Sequence, residues 1–363
     1  MPSPSPQKTA SSRPTLRDIA RDAGVAVTTA SVVVRGDLSV VIRPETRQRI
    51  LDAAQRLGYR RNLAASSLRS GKSNFIGLLV QALDVPMTLL KLREIDHAIL
   101  ARGYRALLRN TDGDPELEAQ YLHEFADHLV AGLVLIQGGS AATSAGLVPL
   151  QERGVPILTL EPLPGGEVDC ITVDRRFGAA LAIRHLLELG HRRFVFLHGD
   201  LRTDLVRQRL AGYRETLTAG GIPVKHQLLW PADGQGFADG YRAASALLAN
   251  GCQATAWFCN NDEVAIGAMR AIQEAGRRIP QDLSVVGFDD IPVAAYAPVP
   301  LTTIAQPVSD IAAATTERLF ARISGKAVAG QPLMRRLEPR LMVRSSTGMA
   351  PVPDYIRHQT EAF

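Results

Sequence analysis

From Phe75 onward, short runs of β-branched and aromatic residues alternate with helix-patterned segments, and this alternation restricts the fold more than any other feature of the chain. The runs include Phe75-Ile-Gly-Leu-Leu-Val80, Gly132-Leu-Val-Leu-Ile136, Pro156-Ile-Leu-Thr-Leu160, Arg193-Phe-Val-Phe-Leu197, Thr255-Ala-Trp-Phe258 and Leu283-Ser-Val-Val-Gly-Phe288. Continuously apolar strands separated by helices belong to parallel sheets covered on both faces. So many elements between residues 75 and 348 exceed one comfortable sheet. The pattern therefore predicts an α/β body of two lobes, with a ligand cleft outside the carboxyl ends of the strands.

A chain of 363 residues that is 46% hydrophobic and 21% charged can bury a large core, which excludes disorder for its bulk. No apolar run approaches the roughly 20 residues of a membrane-spanning helix. The start, Met1-Pro2-Ser3-Pro4-Ser5-Pro6, lacks the apolar stretch of a signal peptide. A cytoplasmic location without a membrane partner is expected. Cys170, Cys252 and Cys259 have neither disulfide nor zinc spacing and read as reduced core residues.

The formal charge of +5 is unevenly distributed. Residues 1–72 hold 13 Lys and Arg against 5 Asp and Glu, a net of +8, while the remainder holds 28 against 31, a net of −3. Positive charge gathered in one module suggests a polyanion partner, although a solvated basic tail would have the same charge. The pattern inside the segment is more specific. After a Pro/Ser-rich tail expected to be disordered over 1–13, Thr15-Leu16-Arg17-Asp18 has the form of a capping box. Leu16, Ile19, Ala20 and Ala23 then make a helical stripe that stops at Gly24. A second helix is predicted from Val27 to about Val34, with Ala30, Val33 and Val34 inward, and a third from Pro44 to about Leu57, ended by Gly58. Two short helices joined by a Gly turn and closed by a third make either a plain three-helix bundle or a helix-turn-helix unit whose second helix enters the major groove. The charge asymmetry favours the latter.

The stretch Thr15-Leu-Arg-Asp-Ile-Ala-Arg-Asp-Ala-Gly-Val-Ala-Val-Thr-Thr-Ala-Ser31, with Pro44-Glu-Thr-Arg-Gln-Arg-Ile50 and Leu57-Gly-Tyr59, resembles the DNA-binding headpiece of the LacI/GalR family of bacterial transcription regulators. The resemblance implies that Val27, Thr28, Thr29 and Ser31 read bases or phosphates of double-stranded operator DNA. Val32 stands where the family usually has a basic residue able to contact guanine, and Arg43 replaces a capping Ser before Pro44. Residues 62–69 occupy the position of the family's hinge helix, which implies that Leu68 wedges into the minor groove. Arg61 and Ser66 depart from the usual hinge residues there.

The resemblance continues to about Gly348 through Arg207-Gln-Arg-Leu-Ala-Gly-Tyr213, Asn260-Asn-Asp-Glu-Val-Ala-Ile-Gly-Ala-Met269, Val285-Val-Gly-Phe-Asp-Asp-Ile-Pro292 and Pro300-Leu-Thr-Thr-Ile-Ala-Gln306. It implies a periplasmic-binding-protein-like core crossed by the chain near Val173, Leu301 and Pro332. The expected organisation is a headpiece over 14–60, a hinge over 61–72, a core over 73–348 and a tail over 349–363. The first lobe takes about 73–173 and 302–331, and the second about 174–301 and 332–348. Arg209, Asn261 and Asp289 are implied effector contacts, a forked donor, a donor and acceptor, and an acceptor for paired hydroxyls. Gln81, Glu161 and Gln306 are lesser candidates. Each of the main three also has a structural alternative, namely a helix-surface ion pair for Arg209, a helix cap for Asn261 and a loop brace for Asp289. The family's Asn-Pro-aromatic pattern is absent around Val85-Pro86-Met87, which makes a plain sugar a less secure ligand.

Catalytic signatures are lacking. There is no metal helix, phosphate loop or nucleophile elbow, and Gly234-Gln-Gly-Phe-Ala-Asp-Gly240 misses dinucleotide spacing by one residue, so it reads as a strand-to-helix turn. His185 and His191 flank a helix end and suggest surface or capping roles. No cofactor and no metal is expected. The chain reads as an operator-binding regulator, expected to repress, acting as a homodimer with a tetramer as the alternative, and controlled by a sugar or sugar derivative. A sugar-modifying enzyme and a solute receptor are the competing uses of such a body.

Overall fold

The computed structural model describes residues 14–36, 40–59, 73–127, 130–136, 141–165, 168–326 and 332–351. The chain divides into two compact units, residues 1–72 and 73–363.

In the first unit Thr15 caps α1 (Leu16–Asp22), and the reciprocal bond from the Thr15 N–H to the Asp18 carboxylate, 2.9 Å, completes the capping box. Gly24, at φ +61°, makes the turn into α2 (Val27–Arg35), and α3 (Pro44–Arg56) begins on Pro44. Arg43 occupies the N-cap of α3 without a side-chain hydrogen bond, as loss of the capping Ser predicts. Ile19, Ala20, Ala23, Ala30, Val33, Ile50 and Ala53 form the buried core, with Leu16, Val34, Leu57 and Tyr59 packed on it. The exposed Arg56–Asp22 ion pair, 2.6 Å, ties α3 to α1 and contributes little. The tail over 1–13 and the hinge, with Arg61, Ser66 and Leu68, lie outside the described residues.

The second unit contains two six-stranded sheets. Its elements are β1 (Phe75–Val80), α4 (Pro86–Leu100), β2 (Arg105–Asn110), α5 (Pro115–Asp127), β3 (Gly132–Leu135), α6 (Ala141–Glu152), β4 (Ile157–Thr159), β5 (Asp169–Val173), α7 (Arg175–Glu188), β6 (Phe194–His198), α8 (Asp204–Ala219), β7 (Gln227–Pro231), α9 (Phe237–Ala249), β8 (Ala256–Cys259), α10 (Asp262–Glu274), β9 (Ser284–Asp289), β10 (Thr302–Ala305), α11 (Val308–Ile323), β11 (Met334–Leu337) and β12 (Arg340–Met342). The first sheet runs β11-β5-β4-β3-β1-β2 and is parallel throughout. The second runs β12-β10-β9-β8-β6-β7, with β12 alone antiparallel. Both faces of each sheet are covered, which is why the strands read as unbroken apolar runs. The closest helix contact joins α9 to α10, where a Cβ on Gly240 would meet the Val264 carbonyl at 2.1 Å and one on Gly267 the Phe237 carbonyl at 1.9 Å.

The lobe boundaries differ from the expectation at two places. The chain leaves the first sheet after Val173, but β10, expected in the first lobe, pairs with β9 in the second sheet, so the crossing expected near Leu301 comes after Ala305. Conversely β11, expected in the second lobe, pairs with β5 in the first sheet, so the third crossing lies between Leu337 and Arg340 rather than near Pro332. β11 adds to the edge beside β5, whereas β10 is paired on both sides, between β9 and β12, and which sheet each short strand joins is settled by the tertiary packing. Docking also extends past 348, since the Ala350 N–H donates to the Leu189 carbonyl at 2.8 Å. All three cysteines are buried and free. His191 is fully buried instead of capping at the surface. It bridges Thr255 Oγ1 and Ser284 Oγ, both at 2.9 Å, and accordingly its ring is held near a pKa of about 4 by burial.

Candidate functional site

Two surfaces carry the residues of interest. In the headpiece, Ala30 and Val33 point into the core of α2, so helical spacing turns Thr28, Ser31 and Val32 to the other side. Val27 is 43% exposed at the start of the helix, Thr28 is exposed, and Thr29, Ser31 and Val32 are partly covered. A helix in a helix-turn-helix presents such a face to the major groove.

In the second unit, a cleft of about 970 Å³ lies between the lobes. It is lined by all six residues singled out from the sequence, Gln81, Glu161, Arg209, Asn261, Asp289 and Gln306. Gln81 follows β1 and Glu161 follows β4, both at strand carboxyl ends in the first lobe. Arg209 comes from α8, Asn261 caps α10, Asp289 ends β9 and Gln306 follows β10.

Arg209 is buried, with its guanidinium 3.7 Å from the Asp289 carboxylate, 3.2 Å from Asn260 Oδ1 and 4.1 Å above the Phe288 ring. This is not the helix-surface ion pair that was its structural alternative. Asp289 also accepts from Gln306 Nε2 at 2.6 Å. Its backbone is at φ +125°, and Asp290 follows at φ +57°, a conformation L residues adopt at a cost of order 1–3 kcal/mol. Arg344 holds Asp290 at 2.6 Å, which leaves Asp289 turned into the cleft. Asn261 fulfils its structural alternative, accepting from the Val264 N–H at 2.8 Å as the cap of α10 and donating to the Gln235 carbonyl at 2.9 Å. Cap and cleft residue are therefore one side chain.

The structure adds charged residues that the sequence reading missed. Arg175 forms a buried ion pair with Glu161 and donates to Thr172 Oγ1 at 3.0 Å. Lys91, on α4, is buried in the cleft wall. A sequence signal for Lys91 exists, because it falls between Met87, Ile95 and Ile99 at four-residue spacing on an otherwise apolar stripe. Burial pulls the Lys91 ammonium down to about 8 and Arg209 to about 10, and pushes the Asp289 carboxyl up against the opposing Arg209 charge. Beneath the cleft, Asp262 is raised to about 7 by burial and by Asp289, and it accepts from Thr303 Oγ1 and from the Ile291 N–H.

Several buried polar atoms here have no partner, namely Arg175 Nε, Arg209 Nε and Gln306 Oε1. Buried polar groups are mostly satisfied in folded proteins, so three unpartnered atoms on residues of this one cleft are available to a polar ligand.

Comparison with known proteins decides the family. Residues 15–62 match the model of bacterial regulatory proteins of the lacI family, and residues 183–347 match that of the periplasmic binding protein-like domain. The chain is 32% identical over 346 residues to the HTH-type transcriptional repressor PurR of Erwinia tasmaniensis, covering 94% of this chain and 99% of that protein. The chain belongs to the LacI family. Among other members, it is 32% identical over 349 residues to the transcriptional regulator MalR of Streptomyces coelicolor, covering 93% of this chain and 97% of that one. The structure of the Lac repressor dimer bound to operator and the anti-inducer ONPF is similar, with a TM-score of 0.82 at 28% identity over 93% of this chain and all of that one. A CelR–cellobiose complex matches with a TM-score of 0.68 at 28% identity over 92% of this chain and all of that one. This LacI-family chain is a transcriptional regulator with a helix-turn-helix headpiece and an effector-binding core, and its relatives are repressors rather than enzymes. Among the described residues no helix is long and apolar enough to cross a membrane.

Proposed function

We propose that this LacI-family regulator represses transcription in the cytoplasm as a homodimer on a pseudo-palindromic operator, and that a sugar-like effector held between its lobes controls the grip. Val27, Thr28, Thr29, Ser31 and Val32 face the major groove, and Leu68 of the hinge enters the minor groove. Arg209, Asp289 and Asn261 are the main effector contacts, with Gln81, Glu161 and Gln306 around them. One observation carries the effector reading. The six residues expected on a ligand converge on one cleft between the lobes, where buried polar atoms lack partners.

Control follows from the cleft's position. An effector can shift operator binding only through different affinity for two arrangements of the protein. The chain crosses between lobes three times, so a ligand touching both lobes favours one relative placement of them and thereby one spacing of the two hinges in the dimer.

Two titrations test this, effector by calorimetry and operator by fluorescence anisotropy. Arg209→Ala and Asp289→Ala should abolish the ligand response. Ligand-free operator affinity is preserved if the ligand is an inducer and permanently weak if it is a corepressor. Leu68→Ala should do the converse, weakening operator binding with effector affinity intact. Full effector affinity in both cleft variants would overturn the assignment.

A further inference from the structure

The wall of the effector cleft is not electrically neutral. Six of its side chains are cationic and four are carboxylates. At the rim, Arg202 is engaged by Asp200 and Arg207 by Asp204. In the interior, Arg175 takes Glu161 and Arg209 takes Asp289, which uses both interior carboxylates of the wall. Lys91 remains. Its side chain is buried at 6% exposure, and it has neither a hydrogen bond nor an ion pair among the described residues. The groups that act on it through space are Glu161 and Asp289, each already matched by an arginine, and those same arginines, which repel it.

Such a residue is costly to keep. Lys91 stands in the buried stripe of α4 formed by Met87, Ile95 and Ile99, where an apolar side chain would complete the packing. A buried cation without a counterion lowers the stability of the fold, and side chains that do so cluster at functional sites. Apolar packing therefore does not explain a lysine here, whereas an anion entering the cleft does.

We infer that the effector carries an acidic group, a carboxylate or a phosphate on a hydroxylated body, and that Lys91 receives that group as the specificity-determining residue of the cleft. This rests on the effector reading above and narrows its ligand class. The unpartnered Arg175 Nε offers a second donor on the same wall. Arg209 and Asp289 remain for hydroxyls, so acid recognition and hydroxyl recognition occupy different residues.

The test is thermal unfolding of the full chain, wild type against Lys91→Met and Lys91→Gln, alone and with matched compounds. Glucose, gluconate, glucuronate and glucose 6-phosphate form one set, and ribose and ribose 5-phosphate another. Without ligand, Lys91→Met should melt higher than wild type, because it removes an uncompensated buried charge. At least one acid should raise the wild-type Tm more than its neutral parent, with the carboxylates and phosphates separating the two sources of charge. Both variants should lose that excess, with affinity for the acid about ten- to hundred-fold weaker by calorimetry. A lower Tm for ligand-free Lys91→Met, an acid effect that survives in both variants, or no acid preference in the wild type would each overturn the inference. A neutral sugar that binds wild type and variants equally would refute the acid class and leave effector control standing. Control itself is judged by Arg209→Ala and Asp289→Ala.

Discussion

The buried Arg209 guanidinium stands 3.7 Å from the Asp289 carboxylate, which is largely covered in the same cleft wall. Removing one member strands the other. Asp289→Ala should destabilise the core by about 3–5 kcal/mol as well as abolish effector binding. Asp289→Asn, which keeps the shape and the Gln306 contact, should cost less stability. Replacing both residues, as Arg209→Met with Asp289→Asn, should recover much of the stability without recovering binding. Chemical denaturation paired with calorimetry separates the two effects, and a double variant as unstable as Asp289→Ala would show that the pair is not coupled.

Val32 lies on the outward side of α2 and has no donor to offer a base edge. Operator half-sites should lack a guanine preference at its position. Val32→Arg should create one worth about 1–3 kcal/mol. Selection from random DNA with both proteins reads this directly, and identical motifs would mean that position 32 faces away from the bases.

The basic unit carries a net +8 and ends where the second compact unit begins. Operator affinity should therefore fall by orders of magnitude over a few-fold rise in salt if about 6–10 phosphates are contacted. A protein starting at Ser73 should lose operator binding altogether. Anisotropy across a salt series measures both, and a flat salt dependence would point away from phosphate contacts.

Asp169 sits between α11 and β11, accepting from Arg318 Nε at 2.8 Å, Arg322 Nε at 2.9 Å and the Leu333 N–H at 2.7 Å. Burial alone would raise its pKa, but the bonds from Arg322 and Arg318 outweigh it and hold the carboxyl at about 2. A carboxylate depressed in the folded state stabilises it above the unfolded pKa near 4 and loses that contribution as pH falls towards 2. Asp169→Asn should lower stability at neutral pH by about 2 kcal/mol and flatten the acid limb of the stability curve in that window. Denaturant titrations from pH 5 to 2 check it.

His191 acts in a higher window. Its folded pKa of about 4 lies below the unfolded value near 6.5, so stability present above 6.5 is lost as pH falls through 4. By NMR its ring should stay neutral down to about pH 4, well below the ordinary imidazole range. A midpoint near 6.5 for His191 would contradict its burial against Ser284 and Gly348.

Local order accounts for what was legible from residues alone. The capping box of α1, the Gly24 turn, the inward Ala30 and Val33 and the unbroken strand runs all depend on neighbours within a few positions, and they follow from spacing and propensity. The effector trio came through the family resemblance carried by particular motifs, and the cleft brings together side chains from Gln81 to Gln306.

Tertiary structure decided the rest. Neither β10, paired between β9 and β12, nor β11, on the edge beside β5, carries a local signal that selects its sheet, because strand partners are set by packing between distant segments. The Glu161–Arg175 pair and the buried bridge made by His191 depend on contacts between segments that sequence spacing does not relate. Lys91 illustrates the boundary between the two. Its place on an apolar stripe is visible in the sequence, but only the folded cleft shows that every nearby carboxylate already belongs to an arginine, because charge balance is a property of the assembled wall.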